Sequence, residues 1–257
     1  MNSMSRRRSS YGISRLALIA TLAVTSLLRV PLHAQTSFCP ATGITVSGGS
    51  AADVALACAG VQDAASFLPK LGLALPDRLP IELVEARTTR EEWRSIGHFD
   101  APRNMVRLLD FDAAVELTQG GGPFGVAMNE ALWRSYVVHE LAHAATHRHS
   151  ASPALPFAAK EYIAAFAQLS TVAADTRRAI LDNYAGIKGF ASGTQIRGEF
   201  YLLDPCLFAV KSYLHFLEPE NGPGFVLRLL DESGRSVGAS ALPAGTVAER
   251  PETRYLA

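Results

Sequence analysis

His139, Glu140 and His143 stand in the run His-Glu-Leu-Ala-His. On an α-helix, positions four apart differ by roughly 40° of rotation and about 6 Å of rise. The two imidazoles therefore leave one helix face a turn apart, a spacing that suits two ligands of a tetrahedral zinc ion. Glu140 follows the first imidazole directly, so its carboxylate reaches a metal-bound water rather than the metal. An acidified water and a carboxylate to take its proton together make a hydrolytic nucleophile. The chemistry requires the run to be helical, and its surroundings predict that it is. Asn129 can cap a helix, Glu130 suits its positive end, and a helix is expected from Glu130 to about His147. The flanking Tyr136, Val137, Val138, Ala142, Ala144 and Ala145 are apolar or small.

A third ligand is needed. The segment from Val138 to Ala144 resembles the active helix of the zincin metallopeptidases, and two branches of that family differ in where the third ligand comes from. The metzincin pattern turns at a Gly after the helix and brings a third His to the metal. His149 stands at the matching distance, but Thr146 occupies the Gly position, and no Met follows Met128 to form the later turn. In the gluzincin pattern a following helix supplies a Glu, and Lys160-Glu161-Tyr162-Ile163-Ala164-Ala165 matches that style. Glu161 follows His143 by 18 positions, with Pro153 and Pro156 between to turn the chain. The resemblance runs from Glu130 to Leu169. It implies a zinc site of His139, His143 and Glu161, with Glu140 as the general base. Some gluzincins orient a zinc histidine with an Asp one turn past the third ligand. Here that position is Ala165, so an orienting partner must come from elsewhere. As a whole the chain resembles a small, secreted, bacterial gluzincin-like family.

Other signals are weaker. A peptidase needs a donor for the developing oxyanion, and the candidates are Tyr201, Tyr213 and His215. His147 and His149 read as cations at a helix C-terminus. Gly120-Gly121-Gly122 lacks the Lys and Ser/Thr of a phosphate-binding loop and reads as a connector or lid.

The elements that position these residues follow from pattern. Strands are expected at Ile44–Val46, Leu79–Val84 and Asn104–Leu109. Ser50 and Asp53 suggest a capping box for a helix from Ala51 to Leu68, which Pro69 and Gly72 end. Further helices are expected over Thr88–Ile96, Ala158–Leu169 and Thr176–Tyr184, and from Pro205, with Asp204 as its cap, to Leu217. Strands mix with helices in the first half and helices alone fill the second. That order predicts an α+β domain over residues 35–232, with a small mixed sheet at its N-terminal end, and the resemblance implies that its fold is zincin-like. Asn104–Leu109 is the expected edge strand beside the active helix, where an extended substrate would lie. Residues 233–257, rich in Ser, Ala, Gly and Pro, read as a loose tail.

The chain has 257 residues, 48% of them hydrophobic and 19% charged, so a sizeable core is expected. Lys+Arg and Asp+Glu both number 24, a balance that favours neither nucleic acid nor an anionic surface as partner. Residues 1–34 read as a signal peptide. Arg6, Arg7, Arg8 and Arg15 precede the uncharged run Leu16–Leu28, and Ala34 offers a cleavage point, although Leu32 replaces the usual second small residue. Secretion or export to the periplasm is therefore expected, without stable membrane insertion after cleavage. In an oxidising compartment Cys39 and Cys58 form the natural disulfide, leaving Cys206 free. The expected function is a zinc-dependent metallopeptidase acting on peptides or proteins. The alternatives are a zinc-binding module without turnover and an amidase for a non-protein amide.

Overall fold

The computed structural model describes residues 36–85, 95–149 and 155–232. The signal segment, most of the helix expected over Thr88–Ile96, Pro153 and the C-terminal tail lie outside the described residues. Ser95 and Ile96, at the end of that expected helix, are not helical.

The described chain is α+β. Its sheet has five strands in the order β1-β2-β3-β5-β4: β1 Ser37–Phe38, β2 Ile44–Ser47, β3 Leu79–Val84, β4 Gly97–Asp100 and β5 Met105–Leu109. β2, β3 and β5 run parallel, and β1 and β4 are antiparallel additions at the two edges. Alternation explains the pleat: in β3, Leu79, Ile81 and Leu83 are buried while Pro80 is exposed. Glu82 and Arg107, partners across β3 and β5, form an ion pair of 2.7 Å.

Asn104–Leu109 is not the edge. β5 is hydrogen-bonded on both sides, and β4 takes the edge position. The sequence signal failed because Gly-His-Phe-Asp is short and carries one large apolar residue, too little for a period to register. The β4–β5 pairing has a definite polarity. Leu109 N–H donates to the Ile96 carbonyl at 2.8 Å. Alternation of hydrogen-bonded and non-hydrogen-bonded pairs then turns the backbone groups of Gly97 and Phe99 outward, away from β5.

Eight α-helices are described: α1 Ala51–Phe67, α2 Phe111–Leu117, α3 Glu130–His149, α4 Phe157–Thr171, α5 Ala174–Asn183, α6 Gly198–Leu203, α7 Pro205–Leu217 and α8 Gly222–Glu232. The capping box at α1 forms as expected, with Ser50 and Asp53 bonded reciprocally. Asp53 also accepts the Phe111 N–H, so α2, Asp110-capped and unforeseen in the sequence, starts against α1. Ala51–Leu71 is apolar and long enough to pass for a membrane span. Its face of Ala57, Val61, Ala64 and Leu68 is instead fully buried in the core. Gly60 sets the approach of α1 to α3: a Cβ there would stand 2.7 Å from Val137 Cβ and 2.9 Å from the Arg134 carbonyl. The Arg134–Asp63 pair, 2.8 Å, ties the same two helices together. Cys39 and Cys58 are joined, linking the loop before β2 to α1, and Cys206 is buried and free.

Three anchors seat α3. Asn129 caps it by accepting the Leu132 N–H at 2.9 Å. Trp133, fully buried, donates its indole N–H to the Leu109 carbonyl at the end of β5. α1 and α4 cover its apolar faces, with Val137, Val138, Leu141, Ala144 and Ala145 in the core.

Candidate metal centre

The helical register places His139 and His143 on one side of α3, and α4 lies against that side. Glu161, in the second turn of α4, then faces both imidazoles. The Nε2 atoms of His139 and His143 are 3.2 Å apart. One Glu161 oxygen lies 3.7 Å from His139 Nε2 and the other 3.6 Å from His143 Nε2. The three residues each offer a ligand atom within 4.8 Å of the others, so the group can hold a metal ion. Bonds of about 2.0–2.2 Å in tetrahedral array put ligand atoms roughly 3.3–3.6 Å apart; the two imidazole nitrogens stand close to that spacing, and each faces a different Glu161 oxygen, so the carboxylate spans the pair. Glu161 Oε2 is buried and has no hydrogen-bond partner among the described residues. A carboxylate oxygen left so is costly unless something else satisfies it, and a cation between the three groups does.

Electrostatics within the cluster are coupled. Burial disfavours charge on His139, but the Glu161 and Glu140 carboxylates outweigh it and hold the imidazole above its ordinary range. Burial pulls His143 down to about 4; Glu161 opposes this, while His139 and Lys160 reinforce it. Glu161 is held below the usual carboxylate range: burial opposes its charge, and the two imidazoles with the Tyr201 hydroxyl overcome it. The side chains of His139 and His143 are only 13% and 15% exposed, so little water screens these effects.

Glu140 is 4% exposed and points to the sheet side of the site. Burial pushes its carboxyl up to about 7; His139 lowers it, Glu161 raises it, and the Phe99 backbone N–H of β4 donates to it. That donor is one of the outward-facing groups of the edge strand.

The partner of His139 Nδ1 is Gln168, two turns beyond Glu161 on the same face of α4. Its Oε1 lies 3.1 Å from His139 Nδ1 and its Nε2 donates to Ser135 Oγ at 3.3 Å. Ala165 stands between Glu161 and Gln168 and contributes only a methyl group. The sequence reading missed Gln168, Ser135 and the Phe99 N–H. Gln168 carried a signal, as the one polar residue in the apolar run from Ile163 to Leu169, whereas Ser135 follows Arg134 and did not stand out; both are 2% exposed. A backbone donor has no letter in the sequence.

The remaining candidates separate. His149 stays in α3, which continues past Thr146, whose hydroxyl donates back to the Ala142 and His143 carbonyls, both at 2.9 Å. No turn forms, and His149 is exposed, outside the cluster. Tyr201, on α6, acts on Glu161 and packs edge-on against Phe157. His215 does not reach the site. It is buried in α7 with Nδ1 2.7 Å from the Tyr162 hydroxyl and Phe190 and Phe225 rings around it. Tyr213 is also buried in α7, and no ring contact or hydrogen bond joins it to the cluster. Gly122 begins a tight turn rather than a phosphate cradle. Phe124 follows in the left-handed region (φ 62°), with its carbonyl held by Asn183 and its N–H on Cys206 Sγ.

No curated protein and no solved structure matches the chain. Residues 44–236, which span β2 to β5, α3 and α4 with the whole cluster, match the family described as "Family of unknown function (DUF6639)", and the chain belongs to that family.

Proposed function

We propose that this protein is a zinc-dependent metallopeptidase of zincin-like fold, exported from the cell and hydrolysing peptide bonds. The convergence of three ligand groups carries the reading: the His139 and His143 Nε2 atoms are 3.2 Å apart, and a Glu161 oxygen lies 3.7 and 3.6 Å from them, one oxygen facing each imidazole, so one ion can be reached by all three residues. Two neutral imidazoles and one carboxylate are also a donor set of the catalytic kind, three protein ligands with a fourth position for water or substrate. Zinc held there polarises a substrate carbonyl and acidifies water.

The chain's own residues do the rest. Glu140, with a carboxyl near 7, takes a proton from the attacking water and returns it to the leaving amine. The Phe99 N–H holds that carboxylate in place and favours its charged form before the proton arrives. Of the outward backbone groups of β4, the Phe99 N–H serves Glu140 and the Gly97 carbonyl accepts the Ser95 hydroxyl, which leaves the Gly97 N–H and the Phe99 carbonyl to meet an extended peptide beside Glu140. Tyr201 gives its one hydroxyl proton to Glu161, so it would serve a developing oxyanion only by turning from that carboxylate. The cysteine bridge suits an oxidising compartment.

Metal analysis of the purified protein, followed by digestion of a broad peptide library with wild type and Glu140→Gln, tests the reading. One zinc per chain and cleavage lost in the variant are expected. Absence of bound zinc overturns the reading. Bound zinc with equal inactivity of both proteins replaces it with a binding module.

A further inference from the structure

We infer that Gln168 is a positioning residue whose amide, polarised through Ser135 by the Leu132 carbonyl, fixes His139 with its proton on Nδ1 and turns the Nε2 lone pair to the metal. The inference rests on the metal reading of the cluster, not on turnover.

The polarity follows from groups that have no choice. The Leu132 carbonyl only accepts, so the Ser135 hydroxyl, 2.6 Å away and 2% exposed, must donate to it. With its one proton committed, Ser135 Oγ meets Gln168 as an acceptor, and the Gln168 group at 3.3 Å must be the amide NH₂. The amide carbonyl is then the atom facing His139 Nδ1 at 3.1 Å, and Nδ1 must carry hydrogen. A neutral imidazole has one proton, so Nε2 is left bare. The Leu132–Ser135 and Ser135–Gln168 links are buried and the Gln168–His139 link part-buried, so water cannot substitute for a lost partner without cost. Among the described residues His143 has no such chain, and the side-chain bond it makes there runs from Nε2 to His139. His139 is thus the preset ligand, and His143 adjusts.

The chemical consequence concerns charge. Metal-binding histidines often lean on a carboxylate, which makes the imidazole a stronger donor. An amide orients equally well but adds no negative charge. The only anion among the three ligands is Glu161, and a dication there keeps a net positive charge and its full pull on a carbonyl oxygen.

The tests read the imidazole and the metal directly. In the metal-free wild-type protein at pH 9, ¹⁵N NMR should show His139 as the Nδ1–H tautomer, and on zinc addition His139 should bond through Nε2. Gln168→Leu should lower zinc affinity by about 10–100-fold and leave the His139 tautomers mixed. Gln168→Glu, which still accepts from Nδ1–H, should restore both. Ser135→Ala, the milder change at the far end of the chain, should mix the tautomers with a smaller affinity loss. An Nε2–H tautomer in the wild type, or wild-type zinc affinity in Gln168→Leu, overturns the inference. Failure of the wild type to hold zinc overturns the metal reading instead, and the tautomer measurement still decides the relay.

Discussion

Two histidines lie deep in this protein with the same local arrangement and opposite consequences. His139 on α3 is held through Nδ1 by Gln168 at 3.1 Å, and His215 on α7 through Nδ1 by the Tyr162 hydroxyl at 2.7 Å. Both partners come from α4, one from each of its faces. Beyond Nδ1 the surroundings diverge. His139 Nε2 looks onto a second imidazole and the Glu161 carboxylate; burial disfavours its charge, and Glu161 with Glu140 holds its pKa above the ordinary range. His215 stands among the rings of Tyr162, Phe190 and Phe225, and burial holds its pKa below the ordinary range. A tied Nδ1 therefore does not make a ligand. What the second nitrogen faces decides whether a buried histidine serves a metal or the core.

The sharpest break of this comparison is a pair of truncations. His139→Ala or His143→Ala removes one of three ligands, so zinc affinity should fall further than the roughly 10–100-fold typical of an outer partner. His215→Ala should leave zinc stoichiometry at the wild-type value. It should cost about 2–4 kcal/mol of stability, from a cavity and an unpaired Tyr162 hydroxyl. Zinc titration and denaturant unfolding of the three variants read both effects. Loss of zinc from the His215 variant would erase the distinction.

Next in size is Glu140→Gln. The amide keeps the side chain's shape but is no usable base, so hydrolysis should fall by about 10²–10⁴-fold. Zinc content should not change, since Glu140 is outside the ligand set. Glu161→Ala and His149→Ala sharpen the same boundary on the metal side. The first should weaken zinc binding and the second should not, because His149 stays exposed on a helix that continues through Thr146.

The legible part of this molecule is the part written in side-chain periodicity and caps. Ser50 and Asp53, Asn129, and Asp204 with Pro205 each announced a helix start, and the helices begin there. The spacing of His139, His143 and Glu161 was likewise readable, since it needs only one helix face and one turn back. Three kinds of information were not. The edge strand β4 is four residues with no usable period. The orienting role of Gln168 depends on α4 lying with its Glu161 face on α3, a tertiary fact. His215 looked as available as Tyr201, because nothing in the sequence says which side of α7 meets the aromatic rings of α4 and α8. The expectation of Asn104–Leu109 at the edge failed for the same reason. Strand order is a property of the sheet, and β5 reads identically in its middle or at its margin.

The smallest expected effect is a pH dependence of stability that belongs to the core histidine alone. Burial lowers the His215 pKa in the folded chain, with Glu218 and Glu220 pulling the other way, and Tyr162 is its direct partner. In the unfolded chain the ordinary value of 6.5 applies. Between the folded pKa and 6.5 the unfolded chain therefore binds more protons, and stability must rise with pH across that window. Above 6.5 the group is neutral in both states and contributes no slope. As pH falls from 6.5 through the folded pKa the penalty accumulates, and below the folded pKa it is complete. The zinc ligands would add their own acid sensitivity, so the measurement uses His139→Ala, in which the cluster is already broken, as background. Unfolding of His139→Ala and of His139→Ala/His215→Gln is compared from pH 8 to pH 5. Glutamine retains a polar group for the Tyr162 hydroxyl without titrating, so the double variant should show the shallower fall on the acid side. Equal slopes would mean that His215 is charged as readily inside the ring of aromatics as outside it, and the contrast with His139 would then rest on geometry alone.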